Sequence, residues 1–189
     1  MLFVWGLAAL LLLPPGCCRV NRSLLRNAKV GDWVIHSTIV EVGGDAGARI
    51  AHTTKLTVKA KDDKNVTLVL EMESQGQKRP AQEVLVPLDR PYDFMDPAGG
   101  IEGAKVETLA QGEQTLEVGT RRYRCRWVEQ RFTVSQEGMQ SVTTSKAWVC
   151  RDVPWGGMVK WVASTDTKAG EQSTKMSYTM ELIDAGSGP

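Results

Sequence analysis

The stretch from 121 to 163 constrains the fold of this chain most, because it is typical of two β-strands joined by one tight turn. Glu137 and Gly138 form the predicted turn, with glycine at a position that favours a positive φ. Pairing the two arms about this turn brings three pairs of residues opposite one another: Cys125 with Cys150, Trp127 with Trp148, and Phe132 with Thr143. An antiparallel hairpin is therefore the first structural prediction.

The same register predicts a disulfide bond between Cys125 and Cys150. The two cysteines fall in a non-hydrogen-bonded pair, where Cα atoms approach to about 4.5 Å, a separation that a disulfide can bridge. Closing this loop of about 25 residues would stabilise the fold by about 3 kcal/mol on the chain-entropy model. The alternative is two free buried thiols that pack as small apolar side chains.

Residues 1–17 predict a signal peptide of lipoprotein type. Residues 2–13 are an unbroken apolar run that is short for a membrane span, and two prolines follow it. Gly16 before Cys17 resembles the end of a bacterial lipobox, so Cys17 is a candidate for lipidation, with a soluble secreted form or an uncleaved anchor as alternatives. By the same resemblance, Cys18 after it favours an outer membrane. We therefore expect the chain at the periplasmic face of a bacterial membrane, or secreted.

Residues 18–30 are predicted to be a basic tether with at most one short helical turn. They carry four basic side chains and few apolar ones, a composition that suits anionic lipid head groups. A solvated linker without a membrane role is the alternative.

Residues 31–184 predict one antiparallel β domain. Short runs rich in Val, Ile, Thr and Leu alternate with turn segments, and each run has one apolar and one polar face. Successive hairpins favour an all-β meander that forms a strongly curved sheet, half-barrel or open barrel. Residues 89–103 are the longest irregular segment and the best candidate for a lid. Residues 185–189 are predicted to be a flexible tail.

Composition and motifs argue against catalysis and against nucleic-acid binding. The 23 basic and 22 acidic residues supply no bulk excess of positive charge for counterion release. The only histidines, His36 and His52, could face each other across the first two strands, but partners at zinc-ligand spacing are lacking. The sequence has no G-x-S-x-G elbow and no glycine loop of the phosphate-binding kind. We predict a non-enzymatic protein with no metal or cofactor.

Five aromatic residues are candidates for lining an apolar ligand cavity, because large aromatics with few polar groups suit acyl chains. Core packing is the alternative. It is favoured for the cross-strand tryptophan pair, whereas the tryptophan in the V-P-W-G-G turn is predicted to be exposed or to cap an opening. The candidates are Trp127, Trp148, Trp155, Trp161 and Tyr178.

A basic cluster in the central strand is a candidate surface for a partner. Arg122, Arg124 and Arg126 share the face opposite Tyr123 and Cys125, where they could meet lipid head groups or an acidic protein. A solvated sheet face is the alternative.

The leader, the meander and the segment W-V-C-R-D-V-P-W-G-G-M-V-K (Trp148 to Lys160) together resemble the LolA/LolB-like half-barrel proteins of the bacterial envelope. The resemblance implies a curved sheet that wraps a helical plug and holds lipid or lipoprotein acyl chains; residues 89–104 are the candidates for that plug. The expected function is thus binding of an apolar ligand such as lipid. The alternative is a membrane-tethered structural or protein-interaction module.

Overall fold

Ten antiparallel strands and two short 3-10 helices make up the fold. The structure is a computed structural model that describes residues 24–43, 47–88, 105–136 and 138–188. The helices are Leu24–Asn27 and Pro154–Gly156. The strands are β1 (Trp33–Val42), β2 (Ala48–Lys61), β3 (Asn65–Ser74), β4 (Gln77–Lys78), β5 (Gln82–Pro87), β6 (Lys105–Val118), β7 (Arg121–Gln136), β8 (Met139–Val149), β9 (Met158–Ala169) and β10 (Gln172–Gly186). The predicted all-β class is confirmed.

All ten strands belong to one open sheet, in the order β4-β3-β2-β1-β10-β9-β8-β7-β6, with β5 also paired to β3. The sheet is strongly curved, because β6 contacts β10 although three strands lie between them in this order. The side chain of Arg121 in β7 also donates a hydrogen bond to the carbonyl oxygen of Ala185 in β10, at 2.8 Å. The predicted curved antiparallel sheet is therefore confirmed. Neither helix of the described residues is long and apolar enough to cross a membrane.

The β7–β8 hairpin has the predicted register. Trp127 lies opposite Trp148, and Phe132 lies opposite Thr143. Gly138 in the connection has φ of 79°, a backbone conformation that glycine adopts without the steric cost of a Cβ atom. Local turn chemistry and the apolar pattern thus agree on one pairing.

The buried side of β7 changes along the strand. Tyr123 and Cys125 are buried in its first half, whereas Val128, Gln130 and Phe132 are buried in its second half. Because neighbouring residues of a strand point to opposite faces, the two halves bury opposite faces of the sheet. The first half packs into the larger apolar cluster and the second half borders the smaller one.

Two tryptophans lie over glycines of the neighbouring strand. A Cβ atom on Gly112 would lie 3.0 Å from the ring of Trp127, and one on Gly186 would lie 2.8 Å from the ring of Trp33. Each glycine is the cross-strand partner of its tryptophan. The absent side chain therefore lets the ring cover the strand backbone, an arrangement known to support glycines in β-sheets.

The predicted tether is wrong for its second half. Residues 24–30 pack against the sheet: Leu25 is completely buried and Ala28 nearly so, and both join the larger apolar cluster. Lys61 donates hydrogen bonds to the carbonyl oxygens of Arg26 and Ala28. Leu25 and Ala28 are buried although basic residues surround them in the sequence. Composition alone does not predict this burial.

The predicted flexible tail also begins too early, since β10 continues to Gly186. Ala185 is buried and pairs with Val34 of β1. A β-bulge at Ile183 resets the register and returns Ala185 to the buried side. The predicted leader, the lipidation candidate Cys17 and the predicted lid and plug segment lie outside the described residues.

Candidate functional site

Three rows of side chains cross the sheet on one side, and the strand registers define them. Opposite residues of paired strands share a face, so the successive registers can be joined from β2 to β7. We call the side that carries them the inner face. The first row is His52, Thr38, Met180, Trp161, Ala147 and Val128; the second is Ile50, Val40, Tyr178, Ala163, Ser145 and Gln130; the third is Ala48, Val42, Met176, Thr165, Thr143 and Phe132.

A histidine of the inner face reaches across a neighbouring strand. His36 of β1, next to the first row, places Nε2 2.9 Å from the carbonyl oxygen of Met158 in β9. This contact reaches over β10, which lies between β1 and β9. Burial lowers the pKa of His36, and the hydrogen bond to Met158 opposes that shift. Because its partner is a carbonyl oxygen, the imidazole donates this bond from Nε2–H.

Burial increases along the rows from β2 to β7. Ile50 on β2 is 49% exposed, Val40 and Tyr178 are half-buried, and Ala163 and Ser145 are buried. The rows contain no Lys, Arg, Asp or Glu. The inner face therefore offers an uncharged surface that is exposed at β2, half-buried at β1 and β10 and mostly buried at β7 to β9, and a surface of this kind could accept an elongated apolar ligand.

Trp161 and Tyr178 lie next to each other on this surface. Their ring centroids are 5.9 Å apart with the planes tilted by 32°, within the range of a favourable aromatic contact. The Tyr178 hydroxyl lies 3.7 Å from the sulfur of Met176. Burial raises the pKa of Tyr178, which is consistent with an apolar environment.

Several buried polar atoms have no hydrogen-bond partner in the described structure. They include Nε1 of Trp155 in the larger apolar cluster, and Nε1 of Trp161 and Oγ of Ser145 on the inner face, whose residues are 8% and 3% exposed. The neighbouring hydroxyls differ, since Thr143 and Thr165 bond each other at 2.8 Å. Sequence reasoning did not single out Ser145, because its position near Trp161 depends on the β8–β9 register.

The five aromatic candidates do not converge on one surface. Trp161 and Tyr178 lie on the inner face, whereas Trp127 and Trp148 lie on the opposite, outer face of β7 and β8. Trp148 donates a hydrogen bond from Nε1 to Oε1 of Gln114 at 2.9 Å. The geometry therefore favours core packing, rather than ligand binding, for this tryptophan pair.

A lysine covers the outer tryptophan pair. Lys146 places Nζ 3.8 Å from the ring centroid of Trp127 and 5.2 Å from that of Trp148. Both distances fall within the range of cation–π attraction. Glu129 lies 3.7 Å from the same nitrogen, so the ammonium group has both an aromatic and an ionic partner.

The predicted exposure of Trp155 is wrong. Its side chain is 5% exposed and belongs to the larger apolar cluster. Its backbone has φ of 66°, a left-handed conformation in which the Val153–Gly157 segment turns back on itself. That turn directs the indole into the core, which a sequence pattern cannot show.

The predicted disulfide is not formed in the structure, where Cys125 and Cys150 are both buried free thiols. The β7–β8 ladder ends at the pair Arg126–Val149, one position before the cysteines. Cys150 has left the ladder, and its sulfur accepts a hydrogen bond from the backbone N–H of Asp152 at 3.4 Å. Burial, reinforced by the neighbouring Cys150, raises the pKa of the Cys125 thiol to about 11. The register is confirmed, and the bond stays a prediction.

The arginine cluster is exposed, as its predicted position on the polar face requires. Arg122 forms an ion pair with Glu117 at 2.7 Å, and Arg124 forms one with Glu113 at 2.6 Å. These pairs neutralise two of the three charges, and exposed pairs of this kind contribute little to stability. The surface is therefore closer to a solvated, charge-balanced sheet face than to a free basic patch.

The predicted opposition of His36 and His52 is wrong. His36 lies opposite Thr54, and His52 lies opposite Thr38, so the two histidines are offset by two residues. Burial lowers the pKa of His52, and Arg79 adds to that shift. Among the described residues, no three His, Cys, Asp or Glu side chains are placed to share a metal ion.

A cavity of about 460 Å³ lies away from all predicted site residues, at the turn ends of β7, β8 and β9. None of the five aromatic candidates lines it. Its lining residues are Ser135, Gln136, Gly138, Met139, Gln140, Lys168 and Gly170.

Comparison with known proteins identifies no family for this chain. No family model matches the sequence, and no curated protein matches it. Membership of the LolA/LolB-like proteins therefore stays a prediction. Among solved structures, an exported protein with a YmcC-like fold from Bacteroides fragilis aligns with 85% of this chain and 97% of its own, at 9% identity and a TM-score of 0.43.

A second solved structure, the S-type phycobiliprotein lyase CpeS from Guillardia theta, aligns with 84% of this chain and 90% of its own. Its identity is 8% and its TM-score is 0.29. Similarities this weak carry no argument about activity or location, so function has to be argued from the inner face.

Proposed function

We propose that this chain is an exported, non-enzymatic envelope protein that binds an apolar ligand, such as lipid or an acyl chain, on its inner face. The observation that carries the proposal is the uncharged surface of three rows, mostly exposed at β2 and buried at β7. When an apolar chain removes apolar surface of this kind from water, the complex is stabilised by about 25 cal/mol per Å².

The cellular location is part of the proposal and rests on the sequence. The apolar leader favours export, and Cys17 favours attachment to the periplasmic side of an outer membrane. An acylated chain would stay near the membranes from which a lipid ligand comes.

The alternative is a tethered interaction module that uses Arg122, Arg124 and Arg126. The ion pairs of Arg122 and Arg124 with carboxylates of β6 make this alternative less favourable, because a partner would have to compete with them. Lipid binding is therefore the preferred function.

Two exposed isoleucines allow a matched test. Ile50 is 49% exposed on the inner face, and Ile183 is 48% exposed at the β-bulge of β10, outside the three rows. The full chain is purified without detergent, native mass spectrometry identifies co-purified lipid, and a fluorescent fatty-acyl probe measures affinity. We expect Ile50→Asp to weaken probe binding about tenfold, because a carboxylate would lose water on contact with the chain.

Ile183→Asp should leave probe affinity unchanged. A wild-type chain that carries no lipid and binds no probe would overturn the proposal. Equal weakening by the two substitutions would also overturn it, since binding would then not depend on the inner face.

A further inference from the structure

We infer that one end of the sheet, the end that carries the first 3-10 helix, docks on a membrane surface of anionic lipid head groups. The inference rests on the membrane location in the proposed function and assigns the surface that meets the membrane. Four exposed basic side chains define this surface, which we call the basic end. They are Arg26, Lys29, Lys61 and Lys64.

The four cations are held together by the fold. The helical segment leads into β1, and β2 ends beside it, because Trp33 at the start of β1 pairs with Thr57 near the end of β2. Lys61, the last residue of β2, donates hydrogen bonds from Nζ to the carbonyl oxygens of Arg26 and Ala28. The basic end is therefore a fixed surface of the folded domain and not part of a loose tether.

The basic end keeps a positive charge. Within the described part of the chain, none of its four cations forms an ion pair with a carboxylate. The exposed carboxylates nearest to them in the chain are Asp62 and Asp63 of the β2–β3 connection, while Asp32 is buried. Four exposed cations against two exposed carboxylates leave a net positive surface, and basic residues next to a membrane are attracted to anionic lipids.

The position of the lipidation candidate decides which end of the sheet can meet the membrane. Cys17 precedes Leu24, the first described residue, by seven positions, and seven residues span at most about 25 Å. β10 has 15 residues and is therefore about 50 Å long. If the opposite end of the sheet stood on the membrane, Leu24 would be held farther from it than an acylated Cys17 allows.

Val30 adds an apolar contact to the same surface. Its side chain is 57% exposed and follows Lys29 in the chain. An exposed valine beside basic residues suits the boundary between head groups and acyl chains, because lysine and arginine can keep their charged groups in the polar layer while their stems lie along apolar surface. Docking would therefore remove from water an apolar side chain that the fold leaves exposed.

Chemical labelling of lysines tests this surface residue by residue. The full chain is placed on vesicles that contain phosphatidylglycerol, a water-soluble amine-acylating reagent is added, and mass spectrometry gives the labelling rate of each lysine. Lys29 and Lys64 should react about tenfold more slowly than on vesicles of phosphatidylcholine alone, and about 1 M salt should remove the difference. Lys78 and Lys168 are the matched control: both are exposed at the opposite end of the sheet, and their rates should not change.

A pair of lysine substitutions sharpens the test. Lys29→Gln should raise the labelling rate of Lys64 on the anionic vesicles about fivefold, the factor expected for one basic residue near such a surface, whereas Lys78→Gln should leave that rate unchanged. A chain that does not stay with vesicles at all would contradict the membrane location in the proposed function. A chain that stays with them but protects neither end, both ends equally or only the opposite end would overturn the docking surface alone.

Discussion

Trp148 and Trp161 lie on neighbouring strands and are almost equally buried, at 7% and 8% exposure, yet their surroundings differ. Trp148 belongs to the larger apolar cluster, donates its N–H to Gln114, and carries the ammonium group of Lys146 over its ring. Trp161 faces inward beside Tyr178, and its N–H has no acceptor in the described structure.

This difference shows that burial alone does not separate a structural aromatic residue from a ligand-binding one. Trp148 is a core side chain whose polar atom is satisfied. An unsatisfied indole N–H does not by itself mark a binding residue, because Trp155 is buried in the larger apolar cluster and its Nε1 has no partner in the described structure either. The position of Trp161 beside the half-buried Tyr178 is therefore the more useful criterion here.

The largest expected effect comes from removing the outer tryptophan. Trp148→Ala should lower the free energy of unfolding by about 3–5 kcal/mol, because it deletes a buried ring and leaves a cavity. Urea denaturation at neutral pH measures the change. Trp127→Ala is the matched control and should cost less, since Trp127 is only partly buried. A loss below about 1 kcal/mol for Trp148→Ala would contradict the structural role of the outer pair.

Oxidation of the two thiols to a disulfide should have the next largest effect on the free energy of unfolding. Like Trp148→Ala, this change concerns residues of the outer face. A disulfide between Cys125 and Cys150 would stabilise the fold by about 3 kcal/mol. The thiolate is the reactive form, so a pKa near 11 for Cys125 makes oxidation slow at pH 7 and faster as the pH rises toward that value.

Non-reducing mass spectrometry and urea denaturation of reduced and oxidised chain would measure this effect. Ligand affinity should not change on oxidation, because both cysteines lie away from the three rows. Two thiols that remain alkylatable after oxidant treatment at pH 9 would refute the predicted bond.

Much of the fold could be predicted because it follows from local pattern. Alternating apolar residues and a glycine turn fixed the β7–β8 register, which places Trp127 opposite Trp148. The pattern could not predict that β7 changes its buried side between Trp127 and Val128, because that change depends on how the whole sheet curves. For the same reason, five aromatic residues that looked alike in sequence divide between two faces and a core turn.

Packing over long sequence distances accounts for the remaining errors. Leu25 lies in a basic segment but is buried in the cluster that also contains Leu182. Ala185 returns to the core only through the bulge at Ile183. The candidate site was half predicted: Trp161 and Tyr178 were identified, but Ser145 was not, since its position beside Trp161 depends on the β8–β9 register.

A pair of conservative substitutions isolates the indole N–H. Trp148→Phe and Trp161→Phe remove similar volume, but the first breaks a hydrogen bond and the second removes an unsatisfied buried donor. We therefore expect Trp148→Phe to be less stable than Trp161→Phe by about 1–3 kcal/mol. Urea denaturation of the ligand-free chains tests this difference, and equal stabilities would mean that the polar environments of the two rings do not differ in solution.

The smallest effect should come from the cation over the outer pair. Lys146→Met keeps most of the aliphatic stem and removes the charge, so it should cost about 0.5–1 kcal/mol, the range of a partly exposed cation–π contact. Glu129→Gln, which removes only the ionic partner of Lys146, should cost less, because the ammonium group would still lie over Trp127. Urea denaturation of both variants separates the two contributions. If Glu129→Gln cost as much as Lys146→Met, the ion pair rather than the rings would hold the lysine, and the outer pair would be stabilised by packing alone.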